Sequence, residues 1–301
     1  MRSVTSLSVL VPIYNERATI ERLLNEVVAV QTRLTVEVLA CDDGSTDGTR
    51  DILSRISLPG VKVIFMEENV GRGGVIKHLW SLATGDVIVH QDADLEYDPQ
   101  DYIPMLEPLL ADRADVVYGS RFKGSIEGMR FLNRMGNLTM TAAARLLYGV
   151  NVSDLMTCYK MYRSSLIKGL RIDANGFDFE AEFTARLAQR GARFTEVPVS
   201  FFGRTFEEGK KIRAFDAVRV MRELLRCKVQ GEKAAHGGAA QVGGDAAMPQ
   251  GRHRLEEGNR RIIGANRQAG AIEQEGKRLA DRLIVVDHMY NRVSRHRSIP
   301  P

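Results

Sequence analysis

The stretch Asp86-Val-Ile-Val-His-Gln-Asp-Ala-Asp-Leu-Glu96 decides the fold. Val87, Ile88 and Val89 form a short apolar run, as expected of a buried central strand. The run ends in Asp92 and Asp94, with Glu96 two residues further on. In an extended chain, residues two apart point to the same side. The three carboxylates can therefore converge just beyond the strand's carboxyl end, where open α/β sheets bind their ligands. Carboxylates so close together repel unless a cation or a proton intervenes. Oxygen-only donors suit Mg²⁺ or Mn²⁺, with a diphosphate completing the shell. The competing reading is a solvated acidic turn ahead of a helix that Asp98 and Pro99 would begin. This stretch alone does not choose between them.

The flanking sequence repeats a strand-then-helix pattern. Leu7–Ile13, Val36–Cys41, Val61–Met66 and Asp115–Gly119 read as further strands. Arg17–Val30, Asp51–Ile56, Val75–Ala83 and Asp101–Ala111 have helical apolar spacing. This alternation indicates a doubly wound, largely parallel sheet. Past Gly119 come a basic loop to Gly128, a long helix over Arg130–Tyr148 and a short strand within Cys158–Arg163. A helix over Phe179–Gln189, an edge strand over Arg193–Phe202 broken by Pro198, and a helix over Lys211–Lys228 follow.

Composition narrows the class. Of 301 residues, positions 1–228 hold 30 Lys/Arg against 30 Asp/Glu, and positions 229–301 hold 12 against 8, so the net charge of +4 lies in the tail. A neutral body argues against nucleic acid as a partner. No run approaches the roughly 18 apolar residues of a membrane span. Met1–Ser6 leads straight into the first strand, so no secretory leader is expected. Cys41, Cys158 and Cys227 have neither metal nor disulfide spacing, which suits a reducing cytosol. Positions 1–228 read as one catalytic domain, and 229–301 as a low-complexity basic tail without order.

The first strand ends Val11-Pro-Ile-Tyr-Asn-Glu16, with no glycine-rich phosphate turn. A dinucleotide-dependent dehydrogenase is therefore disfavoured. Tyr14 could stack on a base, and Glu16 could accept from its edge or from a ribose. The second strand runs into Asp42-Asp-Gly-Ser45, where a carboxylate could do the same.

Taken in order, Val11–Glu16, Cys41-Asp-Asp-Gly-Ser-Thr-Asp-Gly-Thr49, Asn69-Val-Gly-Arg-Gly73 and Asp92-Ala-Asp94 resemble the family 2 inverting glycosyltransferases of GT-A fold. Tyr118-Gly-Ser-Arg-Phe122, Val152-Ser-Asp154, Tyr159-Lys160, Gly176-Phe-Asp-Phe-Glu180 and Glu196-Val-Pro-Val199 are similar to the dolichol-phosphate mannose synthase branch. The resemblance covers about residues 7–228 and implies a Rossmann-like sheet with flanking helices.

It also implies roles. Pro12, Tyr14, Glu16 and Asp43 would hold the nucleoside. Asp92, Ala93 and Asp94 would lie against the donor diphosphate, with Asp92, Asp94 and Glu96 on Mg²⁺ or Mn²⁺. Arg121, Arg204 and Lys210 would bind the nucleotide-sugar's phosphates, and Arg121 and Arg130 the acceptor phosphate. Asp94 and Arg121 would be catalytic. Two phosphoryl groups meet in such a reaction, and Arg forks suit them. The sequence departs from the branch at Glu96, usually a neutral polar residue, and at Gly209, where a Ser is usual.

The implied activity is transfer of a hexose, mannose from GDP-mannose first, to a polyprenyl or dolichyl phosphate. UDP-glucose as donor and a non-catalytic nucleotide-sugar-binding protein are the alternatives. The implied setting is the cytoplasmic face of a membrane, held peripherally. That attachment could use a membrane-anchoring partner protein or the helix 211–228, where Arg219, Arg222 and Arg226 share one side.

Overall fold

A computed structural model describes residues 4–129, 131–204 and 215–231. The chain divides into a unit of Met1–Ile212 with Arg219–Lys233 and a unit of Arg213–Val218 with Ala234–Pro301. The fold below is that of the first unit. Of the tail 229–301, expected to lack order, Val229 and Gln230 instead close the last helix, and 232–301 fall outside the described residues.

The elements in chain order are β1 (Ser6–Ile13), α1 (Ile20–Ala29), β2 (Thr35–Asp42), α2 (Thr49–Leu53), β3 (Val61–Phe65), α3 (Arg72–Trp80) and β4 (Val87–His90). Then come α4 (Tyr102–Leu110), β5 (Val116–Ser120), β6 (Ile126–Glu127), α5 (Phe131–Tyr148), β7 (Lys160–Arg163), α6 (Phe179–Gln189), β8 (Phe194–Pro198), β9 (Phe201–Phe202) and α7 (Phe215–Gln230). Seven strands form one sheet in the order β3-β2-β1-β4-β7-β5-β8, and β6 pairs with β9 in a small second sheet.

Burial explains the centre. Every residue of β4 is buried, and β1 beside it is apolar and buried from Leu7 to Val11 apart from Ser8, which is buried too. With helices on both faces, a parallel strand shows no polar side, hence the unbroken apolar runs. Helix α1 turns Ile20, Leu23, Leu24 and Val27 to the sheet, and Tyr102, Met105 and Leu109 do the same from α4.

One strand runs the other way. β7 is antiparallel to both β4 and β5 and lies between them, with Val87 opposite Arg163 and Val89 opposite Met161. The sheet remains mostly parallel, as the pattern indicates. Reversal of β7 brings its first residue, Lys160, to the carboxyl end of β4. That placement matters for the site.

Candidate active site

β1, β2 and β4 are adjacent and parallel, so the segments that follow Ile13, Asp42 and His90 emerge side by side. Pro12 sits within β1, opposite Cys41. Tyr14 is exposed just past the strand end. Asn15 adopts a left-handed φ of 54° and stitches this turn to the next one. Its N–H donates to Ser45 Oγ at 2.9 Å, and its Oδ1 accepts from the Thr46 N–H at 2.8 Å.

Asp43 is buried and accepts from two backbone amides, Val70 N at 2.7 Å and Gly71 N at 3.0 Å. Those amides lead into α3, whose first N–H groups have no partner within the helix. Burial pushes the Asp43 carboxyl above its usual range, against the pull of these two donors. Each Asp43 oxygen keeps a second lone pair for a base or a ribose hydroxyl.

The three acidic residues after β4 are not arranged by extended alternation, as the sequence suggests. Leu95 has a φ of 60°, and the chain turns there. Asp94 Oδ1 accepts from the Glu96 N–H at 3.2 Å within that turn. Their carboxylates do not form one tight group; among the described residues such a trio occurs only at Glu182, Glu223 and Cys227, discussed below. Asp92 reaches to one side, accepting from Arg72 Nε at 2.9 Å. Asp94 reaches to the other, accepting from Arg204 Nη2 at 3.2 Å. Even so, burial and the charges of Asp92 and Glu96 push the Asp94 carboxyl up to about 7, against the opposing pull of Arg204.

Arg204 is the hub of that side. It closes a bidentate pair on Glu16, Nη1 at 2.9 Å and Nη2 at 3.0 Å, and its backbone N–H donates to Glu96 Oε1 at 2.8 Å. Strand β9 delivers it there, since the Phe202 N–H donates to the Glu96 carbonyl at 2.9 Å. Arg204 Nε is buried and has no hydrogen-bond partner among the described residues.

Arg121 is also buried. Its Nε and Nη2 each lie 2.7 Å from an oxygen of Asp154, and its guanidinium stacks on Phe201 at 5.1 Å. The fork expected to meet phosphate is thus closed on a carboxylate. Burial would raise the Asp154 carboxyl, but Arg121 holds it below the usual range. Arg130 and Lys210 lie outside the described residues. Ala93 is buried in the turn between Asp92 and Asp94.

The profile of the family described as Glycosyl transferase family 2 matches residues 8–171. The chain belongs to that family. The undecaprenyl-phosphate mannosyltransferase of Micrococcus luteus is 32% identical over 187 residues, which is 58% of this chain and 75% of that protein. The dolichyl-phosphate hexose transferase of Haloferax volcanii is 33% identical over 204 residues, 67% of this chain and 85% of that one. Among solved structures, glucosyl-3-phosphoglycerate synthase from Mycobacterium tuberculosis, in complex with Mn²⁺, UDP and phosphoglyceric acid, superposes with a TM-score of 0.58 at 21% identity, over 79% of this chain and 82% of that chain. The protein is therefore a glycosyltransferase of GT-A fold.

In this glycosyltransferase a buried charge network underlies the aspartates, and sequence reasoning assigned it no role. Arg72, at the start of α3, bridges Asp92 to Glu180 on α6. Glu180 in turn holds Lys160, the first residue of β7, and both are fully buried. Lys160 also donates to the Leu155 carbonyl at 3.1 Å and sits over the Tyr118 ring at 4.6 Å. Burial would raise the Glu180 carboxyl, yet Lys160 and Arg72 bring it down to about 2. Beneath them, burial and the neighbouring Arg72 push His90 down to about 3, so it stays neutral. Each member falls inside or beside a motif quoted above. The missed signal was charge inside apolar surroundings: Glu180 stands between Phe179 and Phe183, and Lys160 opens a buried strand.

On α7, Val220, Leu224 and Cys227 are buried, and Arg226 is paired with Glu223, Glu182 and Asp173. Its apolar side therefore packs on the domain rather than facing outward. Glu182, Glu223 and Cys227 are mutually close, but Arg186 and Arg226 already neutralise the two carboxylates, so the cluster reads as an ion-pair lock.

Proposed function

We propose that this transferase moves one hexose, mannose from GDP-mannose, to a polyprenyl phosphate with inversion at the anomeric carbon. The observation that carries the reading is the pairing of a crowded carboxylate with a half-satisfied guanidinium. Burial, and then the charges of Asp92 and Glu96, drive Asp94 towards protonation, and a divalent cation would relieve the repulsion among the three. Arg204 beside it keeps a buried Nε without a partner among the described residues, which a phosphate oxygen would satisfy. Lipid-phosphate sugar transfer is in the names of both relatives above, and the fold relative was solved with Mn²⁺.

The proposal divides the roles among these residues. Pro12, Tyr14 and Asp43 hold the nucleoside, and Glu16 serves chiefly to fix Arg204. Asp92, Asp94 and Glu96 would be the oxygen donors for Mg²⁺ or Mn²⁺, which requires the ion to draw together side chains that stand apart without it. When bound, the ion would neutralise charge on the departing diphosphate. Arg204 and Lys210 would bind the donor phosphates, and Arg121 and Arg130 the acceptor's. Residues 1–228 suffice for catalysis, with 229–301 apart from it.

The acceptor is its own nucleophile. A phosphate monoester has a second pKa of about 6, so it is mainly dianionic at neutral pH. Its oxygen bonds to the anomeric carbon as the bond from that carbon to the diphosphate oxygen breaks, and a nucleoside diphosphate leaves. Direct displacement inverts the centre and needs neither a covalent intermediate nor a protein base. The protein's task is to bring two anions together, which preorganised cations achieve. Among the described residues no helix is long and apolar enough to cross a membrane. The attachment proposed is peripheral, on the cytoplasmic face, alone or through an anchoring partner.

A thermal-shift panel tests the donor. GDP and GDP-mannose with Mn²⁺ are expected to raise the melting temperature more than UDP and UDP-glucose, since a ligand that binds only the native state stabilises it. The reverse order would assign the protein to glucosyl transfer. No shift with any nucleotide would remove the nucleotide-sugar reading.

A further inference from the structure

A guanidinium stands beside the first of the clustered aspartates, and each of its nitrogens is engaged by the protein. Arg72 Nε donates to Asp92 Oδ1 at 2.9 Å, Nη1 to Glu180 Oε1, and Nη2 to the Cys158 carbonyl at 3.4 Å. Its side chain is 15% exposed. Arg72 is thus placed to hold Asp92 rather than to meet substrate. It holds one oxygen only: Asp92 Oδ2 accepts from none of the described residues. The sequence puts Arg72 there by flanking it with Gly71 and Gly73. A Cβ on Gly71, whose φ is 79°, would lie 2.7 Å from the Asn175 carbonyl oxygen, and one on Gly73 would lie 2.8 Å from Phe179 Cβ. The Gly73 N–H donates to that same carbonyl at 2.7 Å. Two missing side chains let the first turn of α3 press on the start of α6, within reach of Glu180.

From Asp92 inward the charges alternate. Asp92 pairs with Arg72, Arg72 with Glu180, and Glu180 with Lys160. Behind Lys160 the contacts are neutral: the Leu155 and Thr157 carbonyls and the Tyr118 ring. Glu180 and Lys160 are fully buried, so salt and water screen them little. Two carboxylates and two cations make the line neutral as a whole. Removing one charge from it therefore changes the field at Asp92 with a defined sign.

We propose that Arg72 is a positioning residue: a built-in counter-ion that fixes Asp92 by one oxygen, leaves the other for a divalent cation, and keeps the affinity for that cation low until a nucleotide diphosphate adds its own charge. Glu180 and Lys160 set how strongly Arg72 acts, Glu180 by offsetting its charge and Lys160 by offsetting that of Glu180. The proposal rests on the divalent-cation reading of Asp92, Asp94 and Glu96 given above. Its consequence for the reaction is twofold. Asp92 is held in one orientation before the donor arrives, and the line from α3 through α6 to β7 ties that orientation to the sheet.

The test is titration of the full chain with Mn²⁺, read by loss of the free ion's paramagnetic resonance signal, with and without GDP or UDP. Wild type should bind weakly alone and more tightly with a nucleotide. Arg72→Met removes the cation while Glu180 keeps Lys160, so no buried charge is stranded. Without nucleotide it should bind Mn²⁺ at least about tenfold more tightly than wild type, yet turn over more slowly because Asp92 is no longer held. Glu180→Gln leaves two cations behind Asp92 and should bind Mn²⁺ at least about tenfold more weakly. Arg72→Lys keeps the charge but cannot span both carboxylates, so Mn²⁺ affinity should stay near wild type while kcat falls and the donor's KM holds. A role in folding alone would weaken binding in every variant, so the opposite signs are the signature. Melting temperatures confirm folding, and Arg72→Gln, which makes the same charge change, replaces Arg72→Met if that variant is unstable. Mn²⁺ affinity unchanged or weakened in the neutral Arg72 variants would overturn the proposal. A wild type that binds no Mn²⁺ with either nucleotide would remove the cation reading itself, and this proposal with it.

Discussion

Asp94 is where the opposing charges of the site meet. Asp92 and Glu96 crowd it, burial penalises its ionised form, and Arg204 offsets part of the cost. Asp94→Asn removes one negative charge from a repelling group, so the variant should fold at least as well as wild type while losing turnover by orders of magnitude. Retained activity in the folded variant would end its catalytic assignment. A different outcome is expected at Arg121. Its fork is closed on buried Asp154, and breaking a buried pair by removing one partner costs about 3–5 kcal/mol. Arg121→Ala should therefore lower stability by about that amount as well as activity, and Arg121→Lys should restore only part, since an ammonium cannot span both carboxylate oxygens. Denaturant titration separates the two effects. The buried network sets the pH dependence. His90 is pushed from its ordinary 6.5 to about 3, so the native state binds fewer protons than the unfolded one between those values, and stability is lost as pH falls through that window. Glu180 is pulled from 4.5 to about 2, so its contribution is full above 4.5 and is lost as pH falls towards 2. Asp94, pushed up to about 7, acts in the opposite sense between that value and the ordinary carboxylate range, so the network is read in an Asp94→Asn background, where urea midpoints measured from pH 7 to pH 3 should fall steadily. His90→Gln should flatten the upper part and Glu180→Gln the lower part, the latter with reduced stability throughout because Lys160 is left buried without its carboxylate.

Secondary-structure elements deliver these residues, and here the sequence was unevenly informative. Apolar runs located β1, β2, β4 and β5 because a strand covered on both faces admits no polar side. The period of 3.6 located α6 to the residue and α5 to within one. The direction of β7 was not legible, because direction depends on the crossover that precedes it and no periodicity records that. The convergence of Asp92, Asp94 and Glu96 was misjudged for a related reason: Leu95 takes a left-handed φ that nothing in a Leu side chain advertises. Arg72, Lys160 and Glu180 stood in the motifs that carry the family resemblance, yet their shared burial needed β7 reversed beside β4. The small β6–β9 sheet is a further element-scale dependency. A Cβ built on Gly124 would collide with the Val199 backbone, its carbonyl oxygen first, so backbone would have to move. Gly124 follows Arg121 and Lys123, and β9 leads to Arg204. Gly124→Ala should cost about 1–3 kcal/mol and reduce turnover more than its distance from Asp94 suggests, by displacing both arginines together. An unchanged urea midpoint and turnover would show that this loop gives way freely.

The first unit is built on one mostly parallel sheet whose carboxyl ends gather acidic residues on β1, β2 and β4, while basic residues arrive from elements further along the chain. That division is what a reaction between two phosphoryl groups requires: oxygen donors for a cation at one place and guanidinium groups beside it. Chemistry at this scale was legible from motif order, whereas the donor base, the sugar and the lipid depend on contacts that no single motif records. The central claim is sugar transfer to a lipid phosphate at the Asp94–Arg204 site, and following the label itself tests it most directly. The full chain is incubated with GDP-mannose labelled in the sugar, a polyprenyl phosphate in detergent and Mn²⁺, and the label is partitioned between butanol and water. The account predicts butanol-soluble mannosyl lipid formed in proportion to enzyme, lost in excess chelator and lost in Asp94→Asn. Label passing instead to a water-soluble acceptor such as phosphoglyceric acid, or lipid product forming at an undiminished rate in the chelated enzyme and in Asp94→Asn, would contradict it.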